Sequence, residues 1–360
     1  MFGLDPPYFR KNALNEQWCL SVEEHIIDIA WSPDAERLAA ITAEGRIFLI
    51  NVQSNTATDK QIGYHAHGGN SVSWNSDGTR LATSGQDGRI QIWDGLSGTL
   101  LYTLETKDNW VGRVAYHPKQ PVLAFSAGRT LKCWRESEGI IYESSDHAST
   151  IADIGWHPDG AVVAVAAYNG LTLHTPVRQS NPHKLHWKGS SLLLAWSPDA
   201  RYIATGEQDS TVHFWYVDTG MDAQMWGFDT KVLELSWHSS GRWLATGGGI
   251  SISIWDCSGN GPAGRTPQTL SCHFNRITQL AYQPLGHYLV STDVDRFLLL
   301  WEPEKHDKLV GATSLSAPAS CVRWAPLGNN LVIGQFDGVI ASFTPNSIYS
   351  DQDPRTDVVI

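Results

Sequence analysis

A large aromatic residue recurs at Trp31, Trp74, Tyr116, Trp156, Trp196, Trp237, Tyr282 and Trp324, with successive gaps of 43, 42, 40, 40, 41, 45 and 42 residues. Two positions after each anchor stands Pro or Ser (Pro33, Ser76, Pro118, Pro158, Pro198, Ser239, Pro284, Pro326). Seven positions after it stands an aliphatic residue, and the eighth is always Ala or Val. A period near forty residues marks one supersecondary unit stacked into one continuous structure, so the 360 residues need not divide into several domains.

The second repeat shows what the unit is. In SVSWNSDGTRLATSGQDGRIQIWD, residues 71–94, Val72 and Trp74 alternate toward a core and Asn75-Ser76-Asp77-Gly78 forms a turn. Leu81-Ala82-Thr83 is the next strand, Gln86-Asp87-Gly88 a second turn, and Ile90 and Ile92 alternate before Trp93-Asp94. With a strand-like run ahead of each later anchor, such as Leu100–Leu104 or Leu309–Leu315, every unit holds four antiparallel strands. Sheets arranged around an axis narrow toward it, which explains the small residue at the eighth position. The large aromatics, the anchors together with Trp93, Trp134, Trp215, Trp255 and Trp301, fill the wider spaces between sheets.

Composition narrows the function. Only 18% of residues are charged and 16 are Trp, which belongs to a well-buried chain. The net charge of −11 argues against nucleic acid, whose backbone demands a positive footprint. Five scattered cysteines without a C-x-x-C read as reduced thiols of a cytoplasmic protein. No apolar leader or spanning run is expected to place it at a membrane. The elbow, phosphate-loop and H-E-x-x-H signatures of enzymes do not occur, so neither catalysis nor a cofactor is expected. Gly247-Gly248-Gly249 opens no helix and reads as a tight turn.

Trp93-Asp94 and Trp255-Asp256 at repeat ends resemble the signature of the WD40-repeat β-propellers, with Trp134-Arg135, Trp215-Tyr216 and Trp301-Glu302 as degenerate forms. The turns WSPD at 31–34 and 196–199, WHPDG at 156–160, and the turn carboxylates Asp87, Asp209, Asp295 and Asp337 extend the resemblance. It implies an all-β propeller over residues 17–344, between an N-terminal arm, 1–16, and a C-terminal tail, 345–360. Eight anchors imply eight four-stranded blades, closed by pairing Trp18–Val22 with Val339–Phe343; the alternative is seven blades. The family's buried network of His, strand Ser/Thr, turn Asp and repeat-end Trp is expected complete only in the second repeat, as His65, Thr83 or Ser84, Asp87 and Trp93. The first, fourth and eighth repeats, ending near Ile50, His174 and Phe343, are the weakest.

Function in this family sits on the loops, and the usual docking face carries the connections from one repeat to the next. The register places His25, Trp110, Lys231 and Arg276 there, six residues before their anchors, and Gln86, Tyr168, Gln208 and Phe336 at the adjacent turns. Aromatics mixed with Arg have the character of an interaction hot spot, with Trp110 and Arg276 as principal anchors. The expectation is a non-catalytic scaffold, monomeric or part of a hetero-complex, that presents these residues to a protein or peptide. The alternative is a metal- or small-molecule-binding propeller using histidines near the axial mouth. Its candidates are His65-Ala66-His67, the pair His183 and His186, which could share a side only off a regular strand, and Cys272-His273. His65 and His273 also stand in the structural register, which favours the scaffold.

Overall fold

The computed structural model describes residues 13–346 apart from 54, 108, 109, 306 and 307. Thirty antiparallel strands run in sequence around a ring, and each anchor ends the innermost strand of its repeat. The strands form seven sheets, six of four strands and one of six. The expectation of eight separate four-stranded blades is therefore corrected to the alternative count of seven. The cause lies between the fourth and fifth repeats. Strand Val163–Thr175 is continuous through Tyr168-Asn169-Gly170, where other repeats break into a turn, although its ladder shifts register there and Asn169 and Gly170 take φ of 72° and 93°. Strand Ser180–Trp196 then runs unbroken, pairing first with Val163–Thr175 and, from Ser191 onward, with Tyr202–Glu207. The crossing between the two repeats falls within this strand, which joins them in one sheet.

Side-chain alternation explains the repeated pair at anchor +7 and +8. Consecutive strand residues face opposite sides of a sheet, and all sixteen such residues are completely buried. Leu38, Leu81, Leu123, Val163, Ile203, Leu244, Leu289 and Leu331 each pack with the anchor of their own repeat. Ala39, Ala82, Ala124, Ala164, Ala204, Ala245, Val290 and Val332 turn to the other side and pack with the anchor of the following repeat. The small residue is thus the floor on which the neighbour's aromatic rests.

The six Trp anchors add a latch. Each indole Nε1 donates to the carbonyl of the residue just before the preceding repeat's anchor: Trp74 to Ala30 at 3.0 Å, Trp156 to Ala115 at 2.9 Å, Trp196 to Gly155 at 3.1 Å, Trp237 to Ala195 at 3.1 Å, Trp324 to Ala281 at 3.0 Å. Trp31 donates to Arg323 at 3.3 Å, joining the first repeat to the last. Tyr116 and Tyr282 cannot reproduce the latch, and their buried hydroxyls have no partner among the described residues. At those two junctions the preceding residue is a serine: Ser73 and Ser236 accept the backbone N–H of Tyr116 and Tyr282 at 3.0 and 2.8 Å.

Strand Leu14–Ser21 closes the ring against Val339–Pro345, with Trp18 opposite Ser342 and Ser21 opposite Val339. It begins three residues inside the segment expected to be an arm; residues 1–12 and 347–360 of the expected arm and tail lie outside the described residues. The buried network of the second repeat forms with Thr83 rather than Ser84. His65 donates from Nδ1 to Asp87 at 3.0 Å, Thr83 donates to His65 Nε2 at 2.9 Å, and Trp93 donates to Thr83 at 3.1 Å. A second full network corrects the expectation that this one stands alone. In the seventh repeat His273 donates to Asp293 and accepts from Ser291, both at 2.6 Å, while Trp301 donates to Ser291 at 2.8 Å. The carboxylate there is Asp293 and not the turn residue Asp295. Trp215 and Trp255 keep only the last bond, to Thr205 and Thr246 at 3.2 and 3.1 Å.

Candidate functional site at the axial mouth

Antiparallel order puts the repeat-to-repeat connections and the turns between second and third strands at one end of the ring. All eight residues singled out from the sequence lie on those segments. His25 is half-buried; Gln86, Trp110, Tyr168, Gln208, Lys231, Arg276 and Phe336 are exposed. Three of them converge. His25, Arg276 and Phe336 line one depression of about 320 Å³ with Ile27, Leu233, Glu234, Thr278, Gln279, Ala319 and Ser320. Its walls are the starts of the inner strands of the sixth, seventh, eighth and first repeats, which makes it part of the mouth of the axis.

The His25 ring stacks on Phe336 at 4.1 Å with the planes 16° apart. Burial lowers the His25 pKa, so its ring is neutral near pH 7, and its buried Nε2 has no hydrogen-bond partner among the described residues. Arg276 is exposed; its backbone N–H donates to Asn275 at 2.8 Å and its carbonyl accepts from the Val294 N–H at 3.1 Å. Glu234 is only 7% exposed, and burial pushes its carboxyl up to about 7, against smaller opposing effects of the Leu233 amide and Arg276. Trp110, Gln86, Gln208 and Lys231 stand on the same face outside this depression.

Sequence reasoning missed several members of this face. Trp226 and Phe274 are 75% and 76% exposed on the connections that also carry Lys231 and Arg276. A fixed offset from the anchor steps past them because those connections differ in length. Glu234 had a visible signal: the position three before the anchor is polar as Asp28, Ser71, Arg113, Asp153, Glu234 and Gln279. Gly247-Gly248-Gly249 is a turn, as expected, and also a contact. A Cβ at those glycines would meet Glu234, Phe228 and Asp229 respectively within 3.1 Å, so the run lets the connection before the sixth repeat lie flat against it.

Tyr168 lines a separate cavity of about 110 Å³ with His147, His174 and His186. There the buried histidines form a chain. Tyr142 donates to His174 Nδ1 at 2.8 Å, His174 Nε2 to His147 Nε2 at 3.1 Å, and His147 Nδ1 to the Arg129 carbonyl at 2.9 Å. Burial, with His147 nearby, holds His174 at about 4, so the chain is neutral at pH 7. His183 and His186 lie three apart on a regular strand and face opposite sides, which removes them as a pair. His65 and His273 are both committed to their structural networks. Among the described residues no group of three or more His, Cys, Asp or Glu is arranged to hold a metal ion.

The family model described as WD40, "WD domain, G-beta repeat", matches residues 59–94, 188–216, 224–256 and 264–302. The chain is similar to Telomerase protein component 1 of Rattus norvegicus, with 28% identity over 235 residues, 63% of this chain and 9% of that protein. It is 24% identical over 263 residues to the B-type cell cycle switch protein ccs52A of Medicago truncatula, covering 68% of this chain and 54% of that one. It is 25% identical over 281 residues to the WD repeat-containing protein slp1 of Schizosaccharomyces pombe, covering 73% and 56%. The chain therefore spans less than two thirds of each of these relatives. The crystal structure of the computationally designed Ika8 protein matches with a TM-score of 0.75 at 17% identity, over 90% of this chain and 97% of that one, a likeness of fold alone. Repeats recognised in sequence, and their strands closed into a ring, lead to one conclusion: the chain is a WD40-repeat β-propeller.

Proposed function

We propose that this protein is a non-catalytic interaction scaffold that docks a partner polypeptide on the face bearing the repeat-to-repeat connections. The observation that carries the reading is the depression joining Arg276, the stacked His25–Phe336 pair and Leu233 at the axial mouth. Exposed aromatic and Arg side chains around a partly apolar hollow are the residue types that dominate docking energies. A closed ring holds them in place beforehand, so little ordering entropy is lost on binding. The relatives support the same class: one is named a cell cycle switch protein, and the Arabidopsis thaliana relative Cell division cycle 20.5 is named a cofactor of the APC complex. The cytoplasm as the site of action is part of the proposal and rests on five cysteines that are all free.

The test is quantitative affinity capture from native lysate with wild type, Arg276→Ala/Phe336→Ala at the mouth, and Leu96→Ala/Leu327→Ala on the opposite end. The mouth variant is expected to lose a specific partner at least about tenfold while the other variant retains it. All the substituted residues are exposed, so melting temperatures should agree within about 2 °C. Equal capture by all three proteins overturns the assignment of the face.

A further inference from the structure

Among the described residues three glutamates are buried at this end of the ring, and two have close side-chain partners. Glu24 pairs with Arg46 at 2.6 Å and accepts from Thr42 at 2.5 Å. Glu207, completely buried, accepts from Ser191 at 2.8 Å. The Glu234 carboxylate accepts one bond, from the adjacent Leu233 amide at 3.3 Å, and forms no ion pair among the described residues although it lines the open depression. A desolvated carboxylate without a counter-charge is expensive to keep. Leu233 beside it, together with Ile27, Ala319 and Phe336, gives the hollow an apolar wall.

We infer that the mouth receives a cationic side chain, Lys or Arg, from the partner polypeptide, with its charged end against Glu234 and its stem along Leu233 and the His25–Phe336 stack. The inference rests on the docking reading above and names the chemistry of that same site. A hollow of about 320 Å³ is at the small end of ligand cavities, roughly 300–1,000 Å³, which suits one long side chain. An aliphatic stem on an apolar wall with the charge held at a carboxylate is how Lys and Arg bury most readily. The wider field agrees. The net charge is −11, and Glu23, Asp229, Asp295 and Asp337 are exposed on the connections and turns around the mouth. Arg276, exposed at the rim, is free to turn toward a carbonyl of the incoming segment.

The arrangement predicts a proton linkage. The Glu234 carboxyl, pushed up to about 7 by burial, loses its proton when a cation arrives, so binding strengthens as pH rises through neutrality. Arg276 and His25 are the other titratable groups of the depression. Protonation of His25 at lower pH would weaken cation binding in the same direction.

The experiment uses fluorescent hexapeptide pools of mixed Ala and Leu with one fixed position, occupied by Arg, Lys, norleucine or Glu. Anisotropy with the full chain is read between pH 6 and 8.5, for wild type, Glu234→Gln and the opposite-face variant Leu96→Ala. The Arg or Lys pools are expected to bind at least about tenfold tighter than norleucine at pH 8. That preference should shrink by up to about tenfold per pH unit below 7 and vanish in Glu234→Gln, with Leu96→Ala behaving as wild type. A preference that survives in Glu234→Gln, or one for the Glu pool, overturns the inference and leaves the docking face standing. If no pool binds wild type, the docking reading fails with it.

Discussion

Thr83 and Glu234 are both buried polar side chains, and their surroundings give them opposite effects on stability. Thr83 accepts from Trp93 and donates to His65, so each polar atom around it is satisfied. Glu234 is held with little compensation. Its folded-state pKa of about 7 lies above the ordinary glutamate value of 4.5, so between those values the folded protein binds more protons than the unfolded chain. The stabilising share is complete below about 4.5 and is lost as pH rises through 7, at a cost of up to about 3 kcal/mol by pH 8. Glu234→Gln should therefore raise the urea midpoint at pH 8, with the gain fading toward pH 5; an equal midpoint at pH 8 would remove Glu234 as a strained group. The networks were half legible. Thr83, Thr205, Thr246 and Ser291 all stand nine after their anchors, and each of these repeats ends in Trp, whereas Ala40, Val165 and Ile333 accompany Ile50, His174 and Phe343. The choice of Asp293 over Asp295 was not legible. It depends on the turn, where Phe297 N–H bonds to Asp293 at 3.0 Å and Arg296 adopts a φ of 71°.

At the scale of a strand, the informative contrast is between neighbours. Residue +7 supports its own anchor and residue +8 the next one, so the size limit belongs to +8 alone. Ala204 is completely buried in the core that holds Trp237. Ala204→Leu should push Trp237 off its floor and cost about 1–3 kcal/mol by chemical denaturation. Val332→Leu, where the site already accommodates a larger side chain beside Trp31, should cost less. Equal costs would mean that the ring relaxes around either site. This alternation could be read directly from the chain, because the periodicity of a strand is fixed by its backbone. The merger of the fourth and fifth repeats could not. It follows from Ser190 pairing with Tyr168 directly before Ser191 pairs with Glu207, a matter of hydrogen-bond geometry that residue types do not dictate. The proposed docking residues were legible as a face but not as a cluster, because convergence at the mouth depends on how each connection folds over.

For the molecule as a whole, closure depends on one strand. Leu14–Ser21 covers the edge of Val339–Pro345, and Val22 N–H adds a bond to the Gly338 carbonyl at 3.0 Å. Deleting residues 1–22 exposes that edge and opens the ring between its first and last repeats. The truncated protein should unfold at lower temperature, with a broader transition, and should self-associate through the bare edge. Calorimetry and light scattering check this, and a monomer with an unchanged melting temperature would show that the Trp31 latch and the core it joins suffice.

The shared sheet has a consequence for the outline of the end that carries the proposed docking face. A rim rises where chain leaves one sheet and arches to the next, as it does between residues 225 and 235 or 271 and 277. Between the fourth and fifth repeats the crossing from His186 to Ser191 is short and lies within Ser180–Trp196, so the parapet has a low sill at that point. An extended ligand anchored at the mouth, against repeats six, seven, eight and one, would find its lowest way off the plateau across that sill.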